Sequence, residues 1–186
     1  NVVTLEQSGG ILGAFSLLDS VVSGGGNLGI GTEINGAATV TLFEIRETAA
    51  AGACQVANNF SLGAQVIVQG TATITRSRID GCAFTANQVA FDIVQNIDGN
   101  QTFFARNNII QNHVSHGMNL FAGGGGGVGT QGVFEGRIEN NTIGTNGVFD
   151  SGSRLGNAIR ININEDSDAA IAVSGNPIDE VPNARG

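Results

Sequence analysis

The sequence is poor in positive charge. Lysine is absent, all eight basic residues are arginine, and sixteen acidic residues set a formal net charge of −8. Such a chain has no basic stripe to neutralise phosphates, which argues against a nucleic-acid partner. It also lacks the cationic cluster that docks proteins on anionic lipid. Long apolar runs are missing too. None reaches the ~20 residues that cross a bilayer as a helix, so no membrane insertion is expected. Proline occurs twice, and tryptophan and tyrosine not at all. Charged residues make up only 13% of the chain while apolar residues make up 41%, the reverse of the balance that keeps a chain disordered. What is plentiful is glycine, with 29 residues, and asparagine, with 20. Both favour tight turns and left-handed backbone. A turn-rich, β-rich class follows, and 186 residues suffice for one domain with a sizeable core. The chain opens on Asn1, not an initiator methionine, as expected of a processed or excised piece.

The stretch FEGRIENNTIG, residues 134–144, suggests a repeat. Apolar positions alternate, a polar pair follows, and an apolar residue closes the unit. The same pattern fits AIAVSGNPI, TFFARNNII, TATITRSRI, AFSLLDSVV and, more loosely, AATVTLFEI. Its closing residues are Val22, Ile45, Ile79, Ile110, Ile143 and Ile178, at a period of roughly thirty. The intervals hold further strand-like runs at 64–70, 88–96, 116–124 and 156–164, and none carries a helical i, i+3, i+4 stripe. An antiparallel sandwich would place strands every 8–12 residues with hairpin turns, and has no reason to repeat one motif every thirty. A unit of two or three short strands without a helix points to a parallel β-helix, whose coils bury their apolar residues only by stacking. The expected fold is therefore all-β, a right-handed parallel β-helix of about six coils over residues 1–186. Its expected core rows contain Ile74, Ile79, Ala105, Ile110, Ile138, Ile143, Val173 and Ile178. Asn107, Asn108, Asn140, Asn141 and Asn176 are expected on one edge as a ladder of stacked amides. Cys54 and Cys82 lie 28 residues apart, close to one coil. They can be two buried thiols or, in an oxidising compartment, a disulfide between neighbouring coils.

The segments ARNNII, IENNTIGTNGVFDSGSRLGNAIRI and VSGNPI resemble the right-handed parallel β-helix, or pectin-lyase-like, repeat proteins of bacteria. The resemblance covers residues ~100–180 best. It implies a scaffold found in large secreted or cell-surface proteins, and it implies no single activity, because this fold carries lyases, hydrolases, tailspikes and adhesins.

Candidate chemistry is sparse. Asp80, Asp92 and Asp98 fall within one coil, near Arg76 and Arg78, and a glycosidase needs two carboxyls facing each other across a groove. A solvated surface accounts for them more simply. His113 and His116 have no third metal ligand and no acid to orient them. GVGTQG matches a dinucleotide fingerprint but leads into a strand, where that motif requires a helix. Asn164, Asp166 and Asp168 supply hard oxygen atoms at a spacing that could hold calcium, without the glycine and distal glutamate of an EF-hand loop. No other cofactor is expected. With candidate chemistry this sparse, the resemblance implies a non-catalytic extracellular or cell-surface scaffold, fibre or adhesin. Neither end carries a helix that could cover a terminal coil, so self-association end to end or by strand donation is expected. The alternative is a carbohydrate-active or polysaccharide-binding β-helix, with a polysaccharide or cell-surface ligand as partner.

Overall fold

A computed structural model describes residues 1–49, 51–96, 98–124, 132–164 and 167–179. The chain winds as a β-solenoid. The first winding holds β1 (Val3–Gln7), β2 (Ile11–Leu18) and β3 (Val21–Ser23). The second holds β4 (Leu28–Ile34), β5 (Thr39–Arg46) and β6 (Gln55–Ala57), and the third β7 (Leu62–Val68), β8 (Thr73–Asp80) and β9 (Ala83–Thr85). Next come β10 (Val89–Asn96), β11 (Asn100–Arg106) and β12 (Ile109–Gln111), then β13 (Met118–Gly124), β14 (Val133–Glu139) and β15 (Thr142–Ile143). The last winding holds β16 (Ile159–Ile163) and β17 (Asp168–Ser174). Four inner windings therefore lie between two terminal ones. No described residue is helical.

Every pairing is parallel and joins a strand to its equivalent one winding away. The first sheet runs β1-β4-β7-β10-β13-β16, the second β2-β5-β8-β11-β14-β17, and the third β3-β6-β9-β12-β15. A parallel bridge from Ile143 to Ile178 extends the third sheet into the last winding. This is why the sequence repeats: a strand alternates in and out with a period of two, and stacking brings like positions into rows. In the second sheet one inward row runs Leu17, Ile45, Ile79, Ala105, Ile138, Val173. In the third sheet another runs Val22, Val56, Phe84, Ile110, Ile143, Ile178. The closing residues aligned from sequence thus mix two rows. Val22, Ile110, Ile143 and Ile178 belong together, whereas Ile45 and Ile79 belong one strand earlier.

Phenylalanines fill the centre. Phe43, Phe84, Phe91, Phe103 and Phe134 are fully buried, with Phe103 and Phe134 ring centroids 5.0 Å apart and Phe15 stacked on Phe43 at 5.5 Å. Gly136 faces this cluster because nothing larger fits: a Cβ there would lie 2.3 Å from the Phe103 ring. Ile74, Ile79, Ala105, Ile110, Ile138 and Ile143 are buried as expected. Val173 and Ile178 are not. They occupy their places in the rows but are 48% and 47% exposed, since no described winding covers that side of them.

Candidate functional site

Two columns of polar side chains run through the corners of the solenoid. At the corner after the second sheet, one residue in every winding but the second adopts a left-handed conformation: Asp19, Gly81, Asn107, Asn140 and Gly175, with φ between 46° and 75°. The residue that follows turns inward. In the later windings it is asparagine, and Asn108 and Asn141 are fully buried. Each amide bonds along the axis. Asn108 donates its backbone N–H and Nδ2 to Asn141 Oδ1 at 3.1 and 2.8 Å, and Asn141 does the same to Asn176 Oδ1 at 2.9 and 2.9 Å. The same Nδ2 groups also serve carbonyls of the preceding winding, Ile79 for Asn108, Ala105 for Asn141 and Ile138 for Asn176. Asn107 and Asn140 stand outside this ladder. Their left-handed backbone turns the side chain away, and Asn107 Nδ2 donates to Asp80 Oδ1 at 2.9 Å instead.

The two cysteines sit in the same column. Cys82 donates its N–H to Asn108 Oδ1 at 3.0 Å, and it is bonded through sulfur to Cys54 with Cα atoms 4.7 Å apart. Of the two readings left open by the sequence, the disulfide is the one formed. It continues the ladder by a covalent link where two amides would otherwise stack. The signal for this was in the sequence: Cys54-Gln-Val56 and Cys82-Ala-Phe84 read like Asn108-Ile-Ile110 and Asn141-Thr-Ile143 once cysteine is allowed the place of asparagine.

Sequence reasoning missed the second column, at the corner after the third sheet. There Gly25 N–H donates to Asn59 Oδ1 at 2.9 Å, and Asn59 donates N–H and Nδ2 to Asn87 Oδ1 at 3.0 and 2.9 Å. Asn87 Nδ2 serves the Val56 carbonyl at 3.0 Å. His113 takes the next place. It is fully buried, with Nε2 3.1 Å from the Phe84 carbonyl and Nδ1 3.2 Å from that of Asn87. Both ring nitrogens face carbonyl oxygens, so the neutral ring donates through one of them. Burial pushes the imidazole down to about 4. The ring is neutral and structural, and a metal would find it closed off.

The outward faces carry the remaining charges. The strands of the second sheet carry five arginines and five acids. Glu44 pairs with Arg46 at 2.8 Å and Arg137 with Glu139 at 3.3 Å. Asp80 binds Arg78, and Arg106 at 3.2 Å. Burial works against its charge, but the bonds from Arg78 and Asn107 and the charges of Arg78 and Arg106 outweigh this and hold the carboxyl below its usual range. Phe104 lies between the guanidinium groups of Arg76 and Arg106, 5.9 and 5.8 Å from its ring centroid, within cation–π range. Beside it lies a shallow cavity of about 570 Å³, flanked by Glu135 and Arg137 and floored by Ala170 and Ala172.

Asp92 projects from the opposite sheet, the first. Burial raises its carboxyl, and Gln65 and Asn119 each donate an amide hydrogen to it at 3.1 and 2.7 Å. Asp80 and Asp92 thus sit on different sheets, and Asp98 lies in the turn between β10 and β11, so the three form no facing pair of carboxyls. His116 accepts the Asn157 N–H on Nδ1 at 3.0 Å and has Arg160 3.5 Å from Nε2. Asn164 follows β16 and Asp168 opens β17, while Asp166 lies outside the described residues. Among the described residues, no three His, Cys, Asp or Glu side chains cluster as a metal centre. No family model matches the sequence, and no curated protein or solved structure matches it.

Proposed function

We propose that this chain is a non-catalytic architectural element, a self-associating β-solenoid segment of an extracellular or cell-surface fibre or adhesin of the bacterial pectin-lyase-like type. The observation that carries this reading is the state of the two terminal windings. Inward rows that are fully buried at their middle run out into half-exposed Ile161, Val173 and Ile178 at the last winding and into only partly buried Leu5, Phe15 and Leu17 at the first. Strand edges of this kind pair readily with further strands. The acids support it as well, because Asp80 is neutralised by arginine and Asp92 is saturated by amides. The disulfide fits an oxidising compartment. Sedimentation velocity of the 186-residue chain over a wide concentration range tests the reading. Average mass rises with concentration if it holds, and a strictly monomeric species at all concentrations overturns it.

A second reading, a polysaccharide-binding or carbohydrate-active face, is favoured by Phe104 and its flanking arginines above an open cavity. Incubation with uronate and neutral polysaccharides separates the two. Release of unsaturated or reducing ends would make the chain an enzyme, and saturable binding without cleavage would make it a ligand-binding rod.

A further inference from the structure

We infer that a second copy of this chain stacks head to tail on the first, with its first winding against the neighbour's last, in the register the rows already have. This rests on the self-associating reading above and gives it a geometry. Every inward row begins and ends apolar except the one that starts at Gln7 and ends at Ile163. Leu5 and Ile161 close one row of the first sheet, Leu17 and Val173 one row of the second, and Val22 and Ile178 the row of the third. A copy added in register therefore sets Leu5 on Ile161, Leu17 on Val173 and Val22 on Ile178, and all three sheets continue at once.

The corner column continues as well. Along it, each asparagine N–H is given to the amide oxygen one winding on. Asn176 is the last such residue, and the residue one winding on in a stacked copy is Ser20. The Ser20 hydroxyl donates to the Leu18 carbonyl at 2.7 Å, which leaves its oxygen able to accept. On the outward faces the alignment puts Asn162 beside Glu6 and Ser174 beside Leu18, so no like charges meet at these two described positions. β2 carries one residue more than β17 between its inward ends. β8 and β11 differ in the same way, and a register shift between Gln101 and Phe103 absorbs it. A two-fold contact would run the edge strands antiparallel, and neither row nor column would cross it. A heterologous contact that does not close builds a filament.

The native disulfide supplies the ruler, because it joins column neighbours on adjacent windings. Two variants of the 186-residue chain are made separately, Ser20→Cys and Asn176→Cys, and oxidised alone and mixed. A covalent dimer in the mixture only, with its new bridge mapped by peptide mass spectrometry, is the expected result. A covalent dimer from either variant alone would overturn the head-to-tail arrangement. So would none from a mixture that sedimentation shows to be associated. If the parent chain itself stays monomeric, the self-associating reading fails and this inference with it. Val173→Asp covers the case where the cysteine variants fold poorly. It places a charge where the side chain is already half in water, so the fold persists, and association falls about tenfold or more because stacking would bury that charge unpaired. Unchanged association would put the contact elsewhere and overturn the inference.

Discussion

Ile138 and Val173 occupy one row, one winding apart, yet Ile138 is fully buried and Val173 is 48% exposed. Ile143 and Ile178 repeat the contrast in the third sheet. Inner and terminal windings share backbone, register and residue type. Among the described residues, Ile138 and Ile143 have a paired winding on both sides, whereas Val173 and Ile178 have one on one side only. In a solenoid, position in the sequence pattern decides which way a side chain points, and the adjacent winding decides whether water reaches it.

The sharpest way to break this comparison is to place the same charge at both sites. Ile138→Asp buries an uncompensated carboxylate and is expected to cost roughly 3–5 kcal/mol, whereas Val173→Asp in the monomer costs less than about 1 kcal/mol. Chemical denaturation at low protein concentration checks both, and equal losses would show that the row does not end in water. Removing the disulfide by Cys54→Ala with Cys82→Ala comes next. The bond closes a separation of 28 residues, and loop-closure entropy puts its contribution at about 3.5 kcal/mol.

Acid gives a comparable loss through His113. Its folded value of about 4 lies below the unfolded ~6.5, so the unfolded chain binds the extra proton first. Stability is complete above pH ~6.5 and declines as pH falls toward 4, by up to about 3 kcal/mol. His113→Asn keeps the ladder and should remove most of this slope in pH-dependent melts. The smallest effects belong to the amides. Asn141→Ala strands buried partners above and below it and should cost about 1–3 kcal/mol, while Asn176→Ala, at the half-exposed end of the same column, should cost less than about 1 kcal/mol. A thermal-melt series on these two variants tests whether the column weakens toward its end as the rows do.

The fold was legible because stacking writes its own period into the chain. The motif search found the correct register for Phe15–Val22, Phe103–Ile110, Gly136–Ile143 and Ile171–Ile178, where a polar inward residue separates two apolar positions. It slipped by one strand at Ile45 and Ile79. There the inward corner residues are Cys54 and Cys82, and in the second winding a longer loop separates Arg46 from Cys54, so a pattern keyed to an adjacent polar pair slid upstream. The amide ladder was legible as asparagine pairs, but the division of labour within a pair was not. Asn107 and Asn140 supply the left-handed turn and Asn108 and Asn141 the axial bonds, a difference of backbone conformation that residue identity cannot carry. The second column stayed hidden because histidine replaces asparagine at His113 and glycine at Gly25, leaving only Asn59 and Asn87 to mark it. The outward arginine face was unreadable for another reason. Arg76, Arg78, Arg106 and Arg137 come from three different strands, and only the register of β8, β11 and β14 sets them side by side.

Amide hydrogen exchange as a function of protein concentration tests the central claim, that the outermost described windings are less protected than the inner ones because they pair on one side only. Raising the concentration should slow exchange in β1, β2, β16 and β17 and leave the already protected strands β7, β8, β10 and β11 unchanged. Terminal strands that exchange equally fast at every concentration, or that are as protected as the inner ones in the dilute monomer, would contradict it.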